Sequence, residues 1–144
     1  RRLVYDLRPP ALDSLGLLGA LQEYAVLLTR RADGQPLTVT VRAATELPAL
    51  PAAVEVAAYR IIQECCNNVA RHSSAAHLNV SLSTADGKLK MRIEDDGGAF
   101  DPGNGKGLGL QNIHDRADAI GAEYVFNPDS GYPRHLLDVR VPAG

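Results

Sequence analysis

Gln63-Glu64-Cys65-Cys66-Asn67-Asn68-Val69-Ala70-Arg71-His72 is the stretch whose reading decides the fold, as the second half of a helix beginning near Pro51. Proline suits a first helical position because its missing N–H would be unsatisfied there in any case. At about 100° of rotation per residue, Val54, Ala58, Ile61, Ile62, Cys65 and Val69 share one stripe, with Arg60, Gln63 and Asn67 opposite. The helix is therefore amphipathic and lies on a core. Glu64, Asn68 and His72 recur every fourth residue at the edge of the apolar stripe, which predicts partial burial. Burying a carboxylate or carboxamide without partners costs roughly 2 kcal/mol or more, so a polar group is expected to meet them. A metal-nucleotide is one candidate.

The chain has 144 residues, enough for one domain with a sizeable core. Fifteen Lys and Arg against 17 Asp and Glu leave a net charge of −2, which supplies no basic footprint for nucleic acid. The two cysteines are adjacent within the apolar helix, a pattern that fits small buried residues in a reducing compartment rather than a disulfide framework or a CxxC metal site. No apolar run approaches about 18 residues and no signal-peptide pattern is present, so a soluble, cytoplasmic piece is expected. It opens at Arg1 with no methionine, in what reads as the tail of a helix, so a fragment of a longer protein is expected, with room upstream for a sensor or membrane region.

From Arg1 to Arg8 the apolar residues Leu3, Val4 and Leu7 share a helical face that needs a partner, and Pro9-Pro10 is expected to stop the helix. Ser14 is the expected N-cap of a helix carrying Leu17, Leu18, Leu21, Tyr24, Ala25 and Leu28, with Gly34 as its stop. Leu37 to Ala43 alternates as a strand, and Leu47 to Pro51 connects it to the central helix. Leu78, Val80 and Leu82, the turn Asp86-Gly87, and then Leu89, Met91 and Ile93 give a hairpin with one polar face. A sheet covered on one side only follows. Asp95 to Gly109, with six glycines and one proline, reads as loop. A last helix is expected from about Leu108 to Ile120, with Gly121 as its stop. Tyr124 to Phe126 and Leu136 to Val141 close the sheet.

Three segments carry chemistry. Asp95-Asp96-Gly97-Gly98-Ala99-Phe100 sits where a strand ends, and a carboxylate at that sheet end accepts hydrogen bonds, favouring adenine's exocyclic amine over the carbonyl of guanine; taken alone, Asp-Asp-Gly is most often simply a turn. Gly105-Lys106-Gly107-Leu108-Gly109-Leu110 leads into a helix, where free N–H groups, the dipole and Lys106 suit phosphate. The spacing is neither a Walker loop nor a dinucleotide fingerprint, and a hinge is the alternative. Asn68 offers a hard, neutral amide oxygen to Mg²⁺, while Glu64 could polarise a water or another nucleophile. Arg71 and His72 could face phosphate or simply complete the helix dipole.

In this order, Glu-x-x-x-Asn-x-x-Arg-His, then Asp-x-Gly-x-Ala-Phe after a hairpin, then Gly-x-Gly-x-Gly before a helix resembles the N, G1 and G2 boxes of the GHKL ATPase superfamily. Within it the chain is similar to the ATP-binding catalytic domain of sensor histidine kinases that signal to NarL-type response regulators. Arg2 to Leu17 is similar to the segment joining the dimerisation helices to that domain. The resemblance implies an α/β fold, a two-layer sandwich with a mixed, mostly antiparallel sheet and helices on one face. It implies a linker over residues 1–13 and an ATP-binding domain over 14–144.

It further implies Glu64 as the catalytic carboxylate and Asn68 as the magnesium ligand. Asp95 and Gly97 would bind adenine. Gly107, Leu108, Gly109 and Leu110 would form the phosphate loop, with Arg71, His72 and Lys106 as phosphate contacts. ATP and Mg²⁺ are the implied cofactors. The implied partners are the dimerisation and phosphoacceptor domain of the same protein, which is expected to be a homodimer, and a NarL-type response regulator. Two positions depart from the pattern: Ala99 stands at the second glycine of Asp-x-Gly-x-Gly, and Arg71 where lysine is frequent. The short segment from Phe100 to Gly105 leaves little room for a long lid, in agreement with the NarL-type subgroup. Of His72, His77, His114 and His135, only His114-Asp115 is at all like an acceptor dipeptide, and it falls in the last helix. An anti-sigma-factor-type serine kinase and a non-catalytic ATP-binding module are the alternatives.

Overall fold

The computed structural model describes residues 8–97, 110–126 and 134–142. The elements run α1 (Pro10–Leu27), β1 (Thr38–Ala43), α2 (Ala52–His72), β2 (His77–Ala85), β3 (Lys88–Asp95), α3 (Leu110–Ala119), β4 (Glu123–Phe126) and β5 (Arg134–Pro142). Five strands form one sheet in the order β1-β2-β3-β5-β4. β1 and β2 are parallel, and every other pair is antiparallel. The parallel pair follows from the connection, since α2 crosses over between the two strands, whereas β2 and β3 are joined by a two-residue turn. Asp86 and Gly87 supply its two positive φ angles, +56° and +72°. This is the mixed two-layer α/β sandwich that the sequence implied.

Leu78, Val80, Leu82, Leu89, Met91 and Ile93 are all buried, and the residues between them are exposed or half-buried. Strand period two therefore gives the hairpin one covered face, where it meets Ile61, Ile62, Cys65 and Val69 of α2. The opposite face is open, with Thr40, Arg42, Asn79, Ser81 and Glu94 around a shallow polar concavity.

The N-terminal boundaries differ from expectation. Pro9-Pro10 starts the helix that was expected to begin at Ser14: Pro9 is the N-cap and Pro10 takes the first helical position, while the helix these prolines were expected to stop lies outside the described residues. Ser14 does not cap, because its hydroxyl bonds back to the Pro10 carbonyl at 3.5 Å. The break lies at Gly16, whose φ of +73° interrupts the helix before it resumes. Gly34 stops no helix either. α1 ends at Leu27, and Gly34 closes a tight turn on Arg31 between the bridged Arg30 and Pro36. Pro51 is the N-cap of α2 rather than its first residue. The apolar face expected of α1 is present, with Leu17, Leu21 and Ala25 buried and Leu18, Tyr24 and Leu28 partly so.

Candidate functional site

Cys65 points at the sheet, and stepping about 100° per residue puts Cys66 and Ala70 on one flank of α2 and Glu64, Asn68 and Arg71 on the other. Interactions with the α1 side fix which flank is which. The Tyr24 hydroxyl donates to Asn67 Oδ1 at 2.6 Å, and the Ala32 N–H donates to the Ala70 carbonyl at 2.8 Å. Burial pushes the Tyr24 phenol pKa well up, so it stays a donor. Burial likewise pushes the Cys66 thiol up to about 12 and the Cys65 thiol well above its usual range, as inert core groups require.

On the far flank Asn68 is 6 % exposed and Glu64, one turn earlier, is half-buried. Neither side chain makes a hydrogen bond among the described residues. Arg71 is exposed at the helix end. His72 is exposed as well, contrary to the partial burial expected of it, because α2 stops there and Ser73 turns the chain to extended geometry.

Asp95 arrives from β3. It continues the series Leu89, Met91, Ile93, so strand alternation points its side chain to the helical layer, where it is 1 % exposed. One oxygen accepts the Gly97 N–H at 2.8 Å, which curls the chain as it leaves the sheet. Gly97 then passes against the exit of α2. A Cβ there would collide with Ser73 Oγ and come within 2.8 Å of the Ala75 nitrogen, so no side chain fits. The requirement is steric, because Gly97 is not among the positive-φ glycines.

Asp96 has a structural task that the sequence reading missed. Its Oδ1 accepts the N–H groups of Ala76 and His77, each at 2.8 Å, and its Oδ2 lies 2.6 Å from His77 Nδ1. Burial alone would raise its pKa, but the hydrogen bonds from His77 and Ala76 outweigh that and lower it. Two adjacent carboxylates thus divide the work. Asp95 faces inward beside the end of α2, and Asp96 clamps the first residues of β2. Ser73 and Ala75 also went unnoticed, and Tyr24 was read only as part of an apolar face, since nothing local in the sequence marks a residue whose importance lies in what packs against it.

Lys106, Gly107, Leu108, Gly109 and Ala99 fall outside the described residues. Leu110 is the first residue of α3, so the glycine run leads into a helix start, where backbone N–H groups lack intrahelical acceptors. The structure thus places Asp95 and Gly97 where the chain leaves β3 against the exit of α2, and Glu64 and Asn68 on the last turns of that helix.

The sequence pattern of the histidine kinase-, DNA gyrase B- and HSP90-like ATPases matches residues 53–133. Sensor histidine kinase MctS of Rhizobium johnstonii is 37 % identical over 81 % of this chain and 26 % of its own length. Signal transduction histidine-protein kinase/phosphatase DegS of Brevibacillus brevis is 30 % identical over 91 % of this chain and 34 % of its own length. Sensor histidine kinase LiaS of Bacillus subtilis is 32 % identical over 99 % of this chain and 38 % of its own length. The chain thus spans between a quarter and two fifths of these relatives. Among solved structures, the blue-light activated histidine kinase of Erythrobacter litoralis EL346 superposes with a TM-score of 0.70 at 19 % identity, over 92 % of this chain and 47 % of that one. Acinetobacter baumannii histidine kinase AdeS gives 0.62 at 16 % identity, over 99 % and 78 %. At such identities these two similarities concern the fold alone.

Proposed function

Because the chain belongs to the histidine kinase-, DNA gyrase B- and HSP90-like ATPase family, we propose that it is the Mg-ATP-binding catalytic domain of a two-component sensor histidine kinase. The observation that carries the reading is the pairing of Asn68 and Glu64 on one buried flank of α2 with the inward carboxylate of Asp95. Asn68 and Glu64 make no side-chain hydrogen bond among the described residues, and Asp95 turns one oxygen to the Gly97 N–H.

In this reading Asp95 accepts the exocyclic amine of adenine, and Gly97 lets the base approach the backbone. The donor set fits magnesium in a particular way: a single neutral amide at Asn68 is too little for an all-protein site but suits an ion that arrives already shared with phosphates. Bound Mg-ATP would supply an activated γ-phosphoryl group. Glu64 polarises the nucleophile, while Arg71, His72, Lys106, Gly107, Leu108, Gly109 and Leu110 hold the phosphates.

The acceptor is a histidine on a dimerisation domain of the same homodimeric protein, with an aspartate of a NarL-type response regulator next. Phosphoryl transfer depends on positioning that acceptor in line. The domain is cytoplasmic and occupies residues 14–144, with 1–13 as the linker. That linker is tied down at its end: Leu12 is 2 % exposed within the core, and Arg8 bonds to Asp13 and Glu55 at 2.6 Å each.

Titration calorimetry tests the reading. ATP should bind in preference to GTP, and Asp95→Ala should weaken ATP by one to two decades, since a hydrogen bond to a charged group contributes roughly 1.5 to 3 kcal/mol. Equal GTP binding, or unchanged affinity in the variant, would remove the adenine role from Asp95.

A further inference from the structure

The turn between α1 and β1 reaches the exit of α2 and holds it by two carbonyls. The Ala32 N–H donates to the Ala70 carbonyl at 2.8 Å, and Arg31 Nη1 donates to the Ala75 carbonyl at 2.9 Å. The turn is built to aim that guanidinium. The Arg31 N–H donates to the Gln35 carbonyl at 2.8 Å and the Gly34 N–H to the Arg31 carbonyl at 2.9 Å, which fixes its main chain. Arg31 Nε and Nη2 then grip the two carboxylate oxygens of Asp33 at 3.0 and 2.7 Å, and the Gln35 N–H holds Asp33 in turn at 3.1 Å. A planar fork gripped along one edge leaves its remaining nitrogen pointing one way, a geometry that a flexible ammonium would not give.

Ala75 is fully buried. A Cβ at Gly97 would lie 2.8 Å from its nitrogen and 3.2 Å from its Cα, so the two residues meet backbone to backbone. With no side chain between them to absorb movement, a shift of Ala75 passes to Gly97, whose N–H binds the Asp95 carboxylate at 2.8 Å. We infer that Arg31 is a positioning residue of the nucleotide site, acting through Ala75 and Gly97 on the direction of the Asp95 carboxylate and so on the choice of adenine over guanine. The inference rests on the nucleotide reading and adds to it a residue in the turn after α1 that carries specificity without touching the base. Asp96 does not share this role. The residues it binds are also held by the sheet, the Ala76 carbonyl by the Thr38 N–H at 2.8 Å and the His77 carbonyl by the Asp96 N–H at 3.2 Å. Ala75 precedes the strand and takes its bond from a side chain 44 positions away.

Calorimetry with ATP and GTP on the 144-residue chain, well below the midpoint of unfolding, is the test, with amide hydrogen exchange of the nucleotide-free chain beside it. Arg31→Gln should raise the Kd for ATP roughly three- to tenfold, as the indirect loss of a charge-assisted bond allows, and leave that for GTP unchanged. In the Asp95→Ala background it should add nothing, because both changes act through one carboxylate. Exchange should quicken at Ala75 and Gly97 and stay as in wild type along the β2–β3 hairpin, whereas general destabilisation would quicken both. Asp33→Asn, on an exposed turn, should move the same readouts by smaller factors, and it carries the test if Arg31→Gln does not fold. Unchanged selectivity, equal weakening of ATP and GTP, or effects that multiply with those of Asp95→Ala would overturn the role of Arg31. A wild-type chain without preference for ATP would overturn the reading of Asp95 and this inference with it, an outcome visible before any variant is made.

Discussion

The two flanks of α2 carry similar polar residues and treat them differently. Toward α1, the Asn67 amide accepts from Tyr24 and the Ala70 carbonyl from Ala32, so the fold satisfies its own polar groups. On the opposite flank, Asn68 and Glu64 have no side-chain hydrogen bond among the described residues, although Asn68 is the more buried of the two asparagines. At 6 % exposure the Asn68 amide keeps contact with solvent, so a ligand arriving on that flank can reach it. The contrast separates polar groups that hold the helix in place from polar groups held in readiness.

The largest expected effect comes at the floor of the second flank. Gly97→Ala would drive a methyl into the Ser73 hydroxyl and the Ala75 backbone, where the main chain leaving α2 must move. Overpacking of this kind costs about 1 to 3 kcal/mol. Because the Gly97 N–H also holds Asp95, both the denaturation midpoint and ATP affinity should fall. A variant of wild-type stability and affinity would show that the close approach relaxes freely.

Next comes the flank itself. Asn68→Ala removes no hydrogen bond within the described fold, so Tm should move little, while the gain in ATP affinity on adding magnesium should largely vanish. Calorimetry with and without the metal reads both. An intact magnesium response would place the metal elsewhere, and a large fall in Tm would make Asn68 a structural residue like Asn67.

The Asp96 clamp gives a smaller, pH-dependent effect. Its folded pKa lies below the unfolded value, so its contribution is complete above the ordinary carboxylate range, about 4, and is lost as pH falls through the folded pKa. Asp96→Ala should therefore lower stability at neutral pH by about 1 kcal/mol and flatten the acid limb of the stability profile. Nucleotide affinity should hardly change, in contrast to Asp95→Ala. An unchanged acid limb would mean that other carboxylates set it.

Helix and strand period made the core legible in the sequence. The stripe of α2, the alternation of β2 and β3 and the turn at Asp86-Gly87 each rest on a local repeat that tertiary packing reinforces. Asp95 was legible for the same reason, as the next inward position after Ile93. The start of α1 was not, because Pro9-Pro10 does not by itself say where the next helix begins, and the early start rests on tertiary packing, with Leu12 buried and Arg8 bound to Glu55. Asp96 was unreadable in its role because its partners, Ala76 and His77, stand some twenty residues away across a strand pair.

Tyr24→Phe is the mildest change and the sharpest control, because it acts on the flank whose polar groups the fold satisfies. The ring stays and only the hydroxyl goes, leaving Asn67 Oδ1, a half-buried acceptor, without its donor. A neutral hydrogen bond of this kind contributes roughly 0.5 to 1.5 kcal/mol net, and partial access of Asn67 to water softens the loss, so Tm should fall by roughly 2 to 4 °C. ATP affinity and its magnesium response should stay at wild-type values, since the buried ridge of α2 on the sheet still fixes the rotation of the helix and with it Glu64 and Asn68. Paired with Asn68→Ala, this gives a double dissociation: one variant loses stability and keeps ligand, the other keeps stability and loses ligand. If Tyr24→Phe weakened magnesium-dependent binding as much as it lowered Tm, the two flanks would be one coupled network, and the division between holding and readiness would fail.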